Sequence, residues 1–275
     1  MSKRISNIIQ ALKGPNARFE ILFRLKAPFF RKTPVYIISF PKTGRTWLRS
    51  LIGRYIVRKN GLDDAYIMDT PSLTMSAGLN PTLFTHDRSS VFGVPYYQMK
   101  KDRSGYSKSK VIFMVRDPMD VIVSYYFHIV KRWRQYEATI SEFIRSDLYP
   151  MQKMLTFYNI WYDHSDIPKD FLLVRYEELH SDPKNVLYIV LKFLGEEDPD
   201  DTLVEESVAF SSFNNLQKLE KNEEFFKSKP AGANEKDINT LHFRSGKIGG
   251  YRNTLNEEDI AYLREIINEI GDPYY

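Results

Sequence analysis

The chain predicts an α/β fold, a single domain with a central parallel sheet flanked by helices. Three short apolar runs carry this expectation: residues 35–40, 111–115 and 171–174. Each is followed by a polar turn and then by a segment with helical periodicity. A strand that is apolar at nearly every position is buried on both faces, the condition of parallel strands covered by helices. At 275 residues the chain can bury a sizeable core without disulfides or metal staples.

At the N-terminus, Ile5, Ile8, Ile9 and Leu12 recur at helical spacing among Lys3, Arg4 and Lys13 and stop at Gly14-Pro15. That is the pattern of a short basic amphipathic helix. Residues 19–30 again mix Phe, Ile and Leu with Arg and Lys. Residues 1–32 hold eight Lys or Arg against Glu20 alone, although the whole chain is only +4, so the rest is slightly acidic. We separate residues 1–33 as a basic amphipathic segment from a domain spanning 34–275. The segment reads either as an extension packed on the domain or as a peripheral membrane contact through residues 1–32.

The first strand, Val35-Tyr36-Ile37-Ile38-Ser39-Phe40, runs into Pro41-Lys42-Thr43-Gly44-Arg45 and then a helix with Trp47, Leu48, Leu51, Ile52, Tyr55 and Ile56 on one face. Residues 60–109 read as a long irregular connection with short strands near 83–86 and 94–98, the kind that builds binding loops. The second strand, 111–115, leads through Arg116-Asp117-Pro118 into an apolar helix over 119–131. Helices are expected at 139–146 and 150–164. The third strand, 171–174, leads into a helix that Asp182 caps and Gly195 closes. Further helices fall at about 201–209 and from Asn256 to Gly271. Residues 211–250 read as mostly loop.

Composition excludes several classes. Apolar residues make up 43% and charged residues 27% of the chain, which rules out wholesale disorder. Cysteine is absent, so there is no disulfide framework, thiol nucleophile or cysteine-ligated zinc. No apolar run approaches the roughly 18–20 residues of a membrane-spanning helix. The stretch around 8–12 is too short for a signal peptide and Lys13 ends it. The chain reads as soluble and unprocessed.

The strand-loop-helix over 35–58 has the makings of an anion site. Unpaired N–H groups at a helix start and the helix dipole favour negative charge, Gly44 permits a tight turn, Lys42 adds a point charge, and Thr43 and Thr46 add hydroxyls. Its lysine precedes a single glycine, unlike the G-x-x-x-x-G-K-[ST] loop of ATPases and kinases. An ordinary strand-to-helix turn fits these residues equally well.

A resemblance breaks the tie. Phe40-Pro41-Lys42-Thr43-Gly44-Arg45-Thr46-Trp47-Leu48 resembles the 5′-phosphosulfate loop of soluble sulfotransferases, which use 3′-phosphoadenosine 5′-phosphosulfate (PAPS). In the family's order follow the stretch from Arg116-Asp117-Pro118 to Ser124-Tyr125-Tyr126, similar to the 3′-phosphate segment, and the 171–195 stretch with Val174-Arg175-Tyr176-Glu177-Glu178-Leu179. Then come Ser211-Ser212-Phe213-Asn214-Asn215-Leu216 and the late loop Arg244-Ser245-Gly246-Lys247-Ile248-Gly249-Gly250-Tyr251-Arg252-Asn253. The resemblance spans about 34–275 and implies a P-loop-like domain that transfers a sulfuryl group to an acceptor hydroxyl by in-line displacement.

It implies roles as well. Lys42 would stabilise the departing bisphosphate, and Thr43, Gly44, Arg45 and Thr46 would wrap the 5′-phosphate. Arg116, Ser124, Arg244, Ser245 and Gly246 would hold the 3′-phosphate. Trp47, Tyr176 and Phe213 would enclose the adenine. His86, in Leu83-Phe84-Thr85-His86-Asp87, would be the general base, and its ordinary pKa of about 6.5 suits that task. His128, His164, His180 and His242 read as structural or exposed.

There are departures. Phe84 stands where many members have a lysine, with Arg45 a possible substitute for its charge. Ser245, Gly250 and Tyr251 replace the late loop's lysine, aspartate and tryptophan. PAPS is the expected co-substrate, with no metal. The expected acceptor is a hydroxyl-bearing small molecule, lipid or glycan, and Phe84, Phe92, Tyr96, Tyr97, Phe225 and Phe226 suit either an aromatic-lined acceptor site or a small loop core. Nucleic acid is not an expected partner, and the expected location is cytoplasmic. The alternatives are a P-loop kinase and a catalytically inactive nucleotide-binding module at a membrane surface.

Overall fold

The computed structural model describes residues 15–89, 94–221, 234 and 236–275, with side chains from residue 21 onward at the N-terminus. The helix expected around residues 5–12 lies outside them, as do Phe92, Phe225 and Phe226.

Four parallel strands form one sheet in the order β2-β1-β3-β4: β1 Val35–Ser39, β2 Thr82–Thr85, β3 Lys110–Val115 and β4 Asp170–Arg175. Val35 pairs in register with Thr82 on one side and Lys110 on the other. Alternation sends the two faces of each strand to separate cores. Tyr36, Ile38, Val111 and Phe113 join one core with Tyr158 and Trp161, and Val35, Ile37, Ile112 and Met114 join the other with Leu48, Ile52 and Leu191. Burial of each such large apolar side chain contributes about 1.5–3 kcal/mol.

The helices are α1 Pro15–Lys26, α2 Arg45–Lys59, α3 Thr70–Ser76, α4 Pro118–Tyr126, α5 Ile140–Ile144, α6 Pro150–Asp163, α7 Tyr176–Ser181, α8 Pro183–Phe193, α9 Asp201–Phe210, α10 Phe213–Lys221 and α11 Glu257–Ile270. The expected caps are present. Asp182 accepts from the Asn185 N–H at 3.0 Å, Gly195 has φ of 94°, and Asn256 accepts from the Asp259 N–H at 2.7 Å.

The structure corrects four sequence expectations. The strand expected at 94–98 is a 3-10 turn, Tyr96–Gln98, whose Tyr96 ring meets Tyr97 and Tyr149 edge-on instead of pairing in the sheet. The loop expected from 211 opens with α10, which buries only Leu216 and Glu220, too few apolar positions to announce a helix. The long connection contains α3, a seven-residue helix with Pro71 in its first turn. The helix expected over 119–131 stays α-helical only to Tyr126 and continues as a π-helix, Phe127–Arg132.

The described end of the basic segment packs on the domain. Phe23 is buried, with its ring 5.1 Å from Phe30 and 5.6 Å from Tyr36 of β1.

Candidate active site

In an open parallel sheet, ligands gather beyond the carboxyl ends of the strands, where strand order reverses. Here β1 is followed outward by β2 and on its other side by β3, so the crevice opens above β1 and β3. Each of the four strands delivers a sequence-selected residue there or in the next few positions: Lys42 after β1, His86 after β2, Arg116 after β3 and Tyr176 after β4.

The turn after β1 is tight. Lys42 has φ of 74° and Gly44 φ of 90°. A Cβ on Gly44 would lie 2.6 Å from Cδ2 of Tyr176, so only glycine fits both the backbone and the neighbour. The Thr43 hydroxyl donates to the Phe40 carbonyl at 2.9 Å, which leaves its backbone N–H and those of the next residues as the groups at the start of α2. Arg45, Thr46 and Trp47 are half-buried there.

Arg116 ties this turn to the late loop. Its guanidinium donates to the Lys247 carbonyl at 3.0 Å and the Lys42 carbonyl at 3.5 Å, lies 3.7 Å from Asp120, and stacks 4.1 Å from the Tyr176 ring centroid. Asp120 accepts from the backbone N–H groups of Gly249 and Tyr251 at 2.7 and 3.0 Å, fixing the loop to α4. Gly246 has φ of 64°, and a Cβ there would meet Phe213 at 2.5 Å. The Tyr176 hydroxyl donates to the Gly246 carbonyl at 3.4 Å. Arg244 stacks 4.0 Å from the Phe127 centroid. Ser124 and Ser245 are half-buried, Ser124 on α4 and Ser245 in the late loop.

The three aromatics selected for adenine do not form one stack. Tyr176 meets Trp47 edge-on at 5.8 Å and covers Gly44 and Arg116, while Phe213 lies against Gly246 and edge-on to Phe243 at 6.4 Å.

His86 is half-buried, and its Nδ1 lies 2.9 Å from the Ser39 carbonyl. A carbonyl only accepts, so this bond places the proton on Nδ1 and the lone pair on Nε2. Burial, with the charge of Arg45 and further contributions from His128 and Arg49, pushes its pKa well below the usual value, against the opposing Ser39 carbonyl. The imidazole is therefore neutral at pH 7. Asp87, the partner that a purely structural loop histidine would use, is engaged by Arg103 at 3.0 Å and by the Tyr106 hydroxyl at 2.7 Å.

Lys42 sits in a field of like charge. Burial, then Arg132, Arg116 and Arg244, lower its pKa to about 7, and Glu220 opposes them. Arg132 and Glu220 form a buried pair at 3.4 Å, and Glu220 also accepts from the backbone N–H groups of His242 and Phe243 at 2.8 and 3.0 Å. The rings of His128 and His242 are 6.1 Å apart, and the charges of Lys42 and Arg132 reach both.

Sequence reasoning missed this group. The signal available was the spacing Ser124, His128, Arg132, which stacks side chains on one helix face. The π-helical turn carries the last two, and such turns are frequent at functional sites. Of the other histidines, His164 bonds the Ile160 carbonyl at 2.8 Å and His180 is exposed.

Phe84 is buried in the core, and the guanidinium of Arg49 lies 4.5 Å from its ring centroid. Burial lowers the Arg49 pKa to about 10, against the charge of Asp69. Among the described residues, no cluster of three His, Asp or Glu side chains comes together as a metal site, and no helix is long and apolar enough to cross a membrane.

Comparison with known proteins decides the family. The sulfotransferase domain matches residues 32–270. The chain belongs to the sulfotransferase family. It is 30% identical over 261 residues to cytosolic sulfotransferase 13 of Arabidopsis thaliana, covering 88% of this chain and 78% of the relative. It is 28% identical over 260 residues to flavonol 3-sulfotransferase of Flaveria bidentis, covering 86% and 80%. Among solved structures it is similar to retinol dehydratase in complex with androsterone and the inactive cofactor PAP, with a TM-score of 0.61, 16% identity, and 95% and 90% of the two chains covered. It is also similar to mouse sulfotransferase SULT7A1 complexed with PAP, with a TM-score of 0.56, 20% identity, and 87% and 85% covered. These likenesses place the sheet and flanking helices of this sulfotransferase in one known fold.

Proposed function

We propose that the chain transfers a sulfuryl group from PAPS to the hydroxyl of a small acceptor by in-line displacement. The observation that carries the reading is the convergence of Lys42, His86, Arg116 and Tyr176 from four successive strand ends, with His86 neutral and its lone pair on Nε2. The acceptor oxygen attacks sulfur, its proton passes to His86 Nε2, and the bond from sulfur to the bridging oxygen breaks. The electron pair leaves with 3′-phosphoadenosine 5′-phosphate (PAP), where Lys42 neutralises the new charge.

A lysine of lowered pKa regains its proton beside a phosphate, because the anion favours the charged form. The backbone from Thr43 to Thr46, with Trp47 alongside, fits the 5′-phosphate end. Arg116, Ser124, Arg244, Ser245 and Gly246 fit the 3′-phosphate, and Tyr176 and Phe213 line the base side. Arg45, with Arg49 stacked on Phe84, supplies positive charge near His86.

The relatives support a small hydroxyl-bearing acceptor. One is named for flavonols, and one structural neighbour holds androsterone. The cytosolic relatives support a cytoplasmic location. The test is sulfuryl transfer from labelled PAPS to a panel of phenols, flavonols and sterols. Lys42→Ala and His86→Ala should each lower kcat at least 100-fold. The His86 variant should keep PAP affinity and the Lys42 variant should lose it. Wild-type rates in both variants would overturn the proposal.

Leu22, Leu25 and Phe29 are exposed at 54%, 65% and 85%, among Arg24, Lys26, Arg31 and Lys32. This patch supports peripheral membrane contact. The full-length protein should float with vesicles containing phosphatidylserine, and Leu22→Asp/Leu25→Asp should abolish it. Equal flotation of both proteins removes the patch from consideration.

A further inference from the structure

The turn that presents His86 is unusual. The two residues after it, Asp87 and Arg88, have φ of 44° and 65°. Non-glycine residues seldom take the left-handed region, and two in succession persist only where the surroundings impose them. Part of the imposition is local. The Ser89 N–H and hydroxyl both donate to the His86 carbonyl, at 2.8 and 2.7 Å, and the Asp87 N–H donates to the Thr85 hydroxyl at 2.9 Å.

The rest comes from distant residues through the Asp87 carboxylate. It accepts from the Tyr106 hydroxyl at 2.7 Å and lies 3.0 Å from Arg103 Nε and 3.8 Å from Arg24 Nη2. Arg24 also donates to the Tyr106 hydroxyl and lies 5.1 and 4.8 Å from the ring centroids of Tyr36 and Tyr106. Tyr106 is wedged edge-on between Tyr36 and Trp161, each 5.1 Å away. Arg24 belongs to α1 and precedes the first residue matched by the sulfotransferase domain, residue 32. Its neighbour Phe23 is buried in the core.

We propose that Arg24 is a positioning residue for His86: through Tyr106 and Asp87, the N-terminal helix holds the left-handed turn that aims the imidazole. The inference rests on His86 acting as the base. Without Arg24 the carboxylate keeps Arg103 and Tyr106, so the protein folds. The Tyr106 hydroxyl and the turn lose one of their fixings, and His86 shifts relative to the acceptor. Proton transfer needs hydrogen-bond reach, so a small displacement is felt in rate before it is felt in nucleotide binding.

The test compares the full-length wild type with Arg24→Gln and Arg24→Lys, each saturated with PAP. It reads the ring nitrogen and carbon NMR signals of His86, assigned by their loss in His86→Gln, together with PAP affinity and kcat. In Arg24→Gln the His86 signals should shift or broaden, kcat should fall about tenfold, and PAP affinity should stay within twofold. Arg24→Lys should restore most of the loss. His86 signals that superimpose on those of wild type overturn the proposal. So does a loss of PAP affinity equal to the loss in kcat, which marks general damage. Full activity in His86→Gln overturns the base assignment instead, while the hold on the turn is still read from the ring signals.

Discussion

The turns after β1 and β2 both carry positive φ angles, each with a non-glycine residue among them (Lys42 after β1, Asp87 and Arg88 after β2), and they differ in what supports them. After β1 the chain spends a glycine: Gly44 at φ 90° fits where a Cβ would strike Tyr176, and the start of α2 follows at once. After β2 the chain spends none. Asp87 and Arg88 take left-handed angles where Arg24 of α1 and, from one short turn, Arg103 and Tyr106 hold the Asp87 carboxylate. The first turn rests on a glycine of its own with the Tyr176 ring closing the space beside it, and the second combines local bonds to Thr85 and Ser89 with contacts 16 to 63 positions away in sequence. A turn built locally survives changes elsewhere in the molecule, and a turn built from a distance responds to them.

The largest effect should come from breaking the local device. Gly44→Val adds a branched side chain at φ 90° against the Tyr176 ring, which is itself pinned by Arg116 and Trp47. The clash has nowhere to go except into the backbone that would wrap the 5′-phosphate. PAP affinity, measured by calorimetry, should fall at least 100-fold, with the His86 ring signals unmoved. If those signals move as far as they do in Arg24→Gln, the two turns are mechanically coupled and the contrast between them fails.

The same contrast governs what could be read from the amino-acid order. Strands β1, β3 and β4, the Asp182 and Asn256 caps and the Gly44 turn depend on residues within one or two turns of each other, and all were legible. α10 was not, because its buried side includes Glu220, a carboxylate that makes sense only once Arg132 is known to face it. The π-helix over Phe127–Arg132 was not, because the Ser124, His128, Arg132 spacing suits an α-helix equally well. The support under His86 was invisible for the same reason. Arg24, Asp87, Arg103 and Tyr106 are unremarkable singly and become a unit only when α1 lies on β1. In this chain the strand-end placement of Lys42, His86, Arg116 and Tyr176 was legible and the electrostatic setting of Lys42 and His86 was not.

The smallest effect sharpens the comparison from the other side, since even the local turn takes its charge state from afar. Lys42 is lowered to about 7 by burial first and then by Arg132, Arg116 and Arg244, none of which lies in the turn. With PAP bound beside Lys42 as proposed, the phosphates would restore the charged form, so the pKa would be higher bound than free. Binding then takes up a proton wherever the free lysine is neutral, and PAP affinity falls as pH rises through and above 7. With a free pKa near 7, the drop between pH 7 and pH 8 should be about fivefold, following the shrinking charged fraction. Calorimetry at pH 8 in two buffers of different ionisation heat should show uptake approaching one proton, and Lys42→Met should bind weakly without it. Arg132→Gln should reduce the uptake even though position 132 lies about ninety residues away in sequence, because removing a like charge lets the free lysine keep its proton. An uptake unchanged by Arg132→Gln but abolished by Lys42→Met would show that the turn sets its own charge as locally as it sets its backbone.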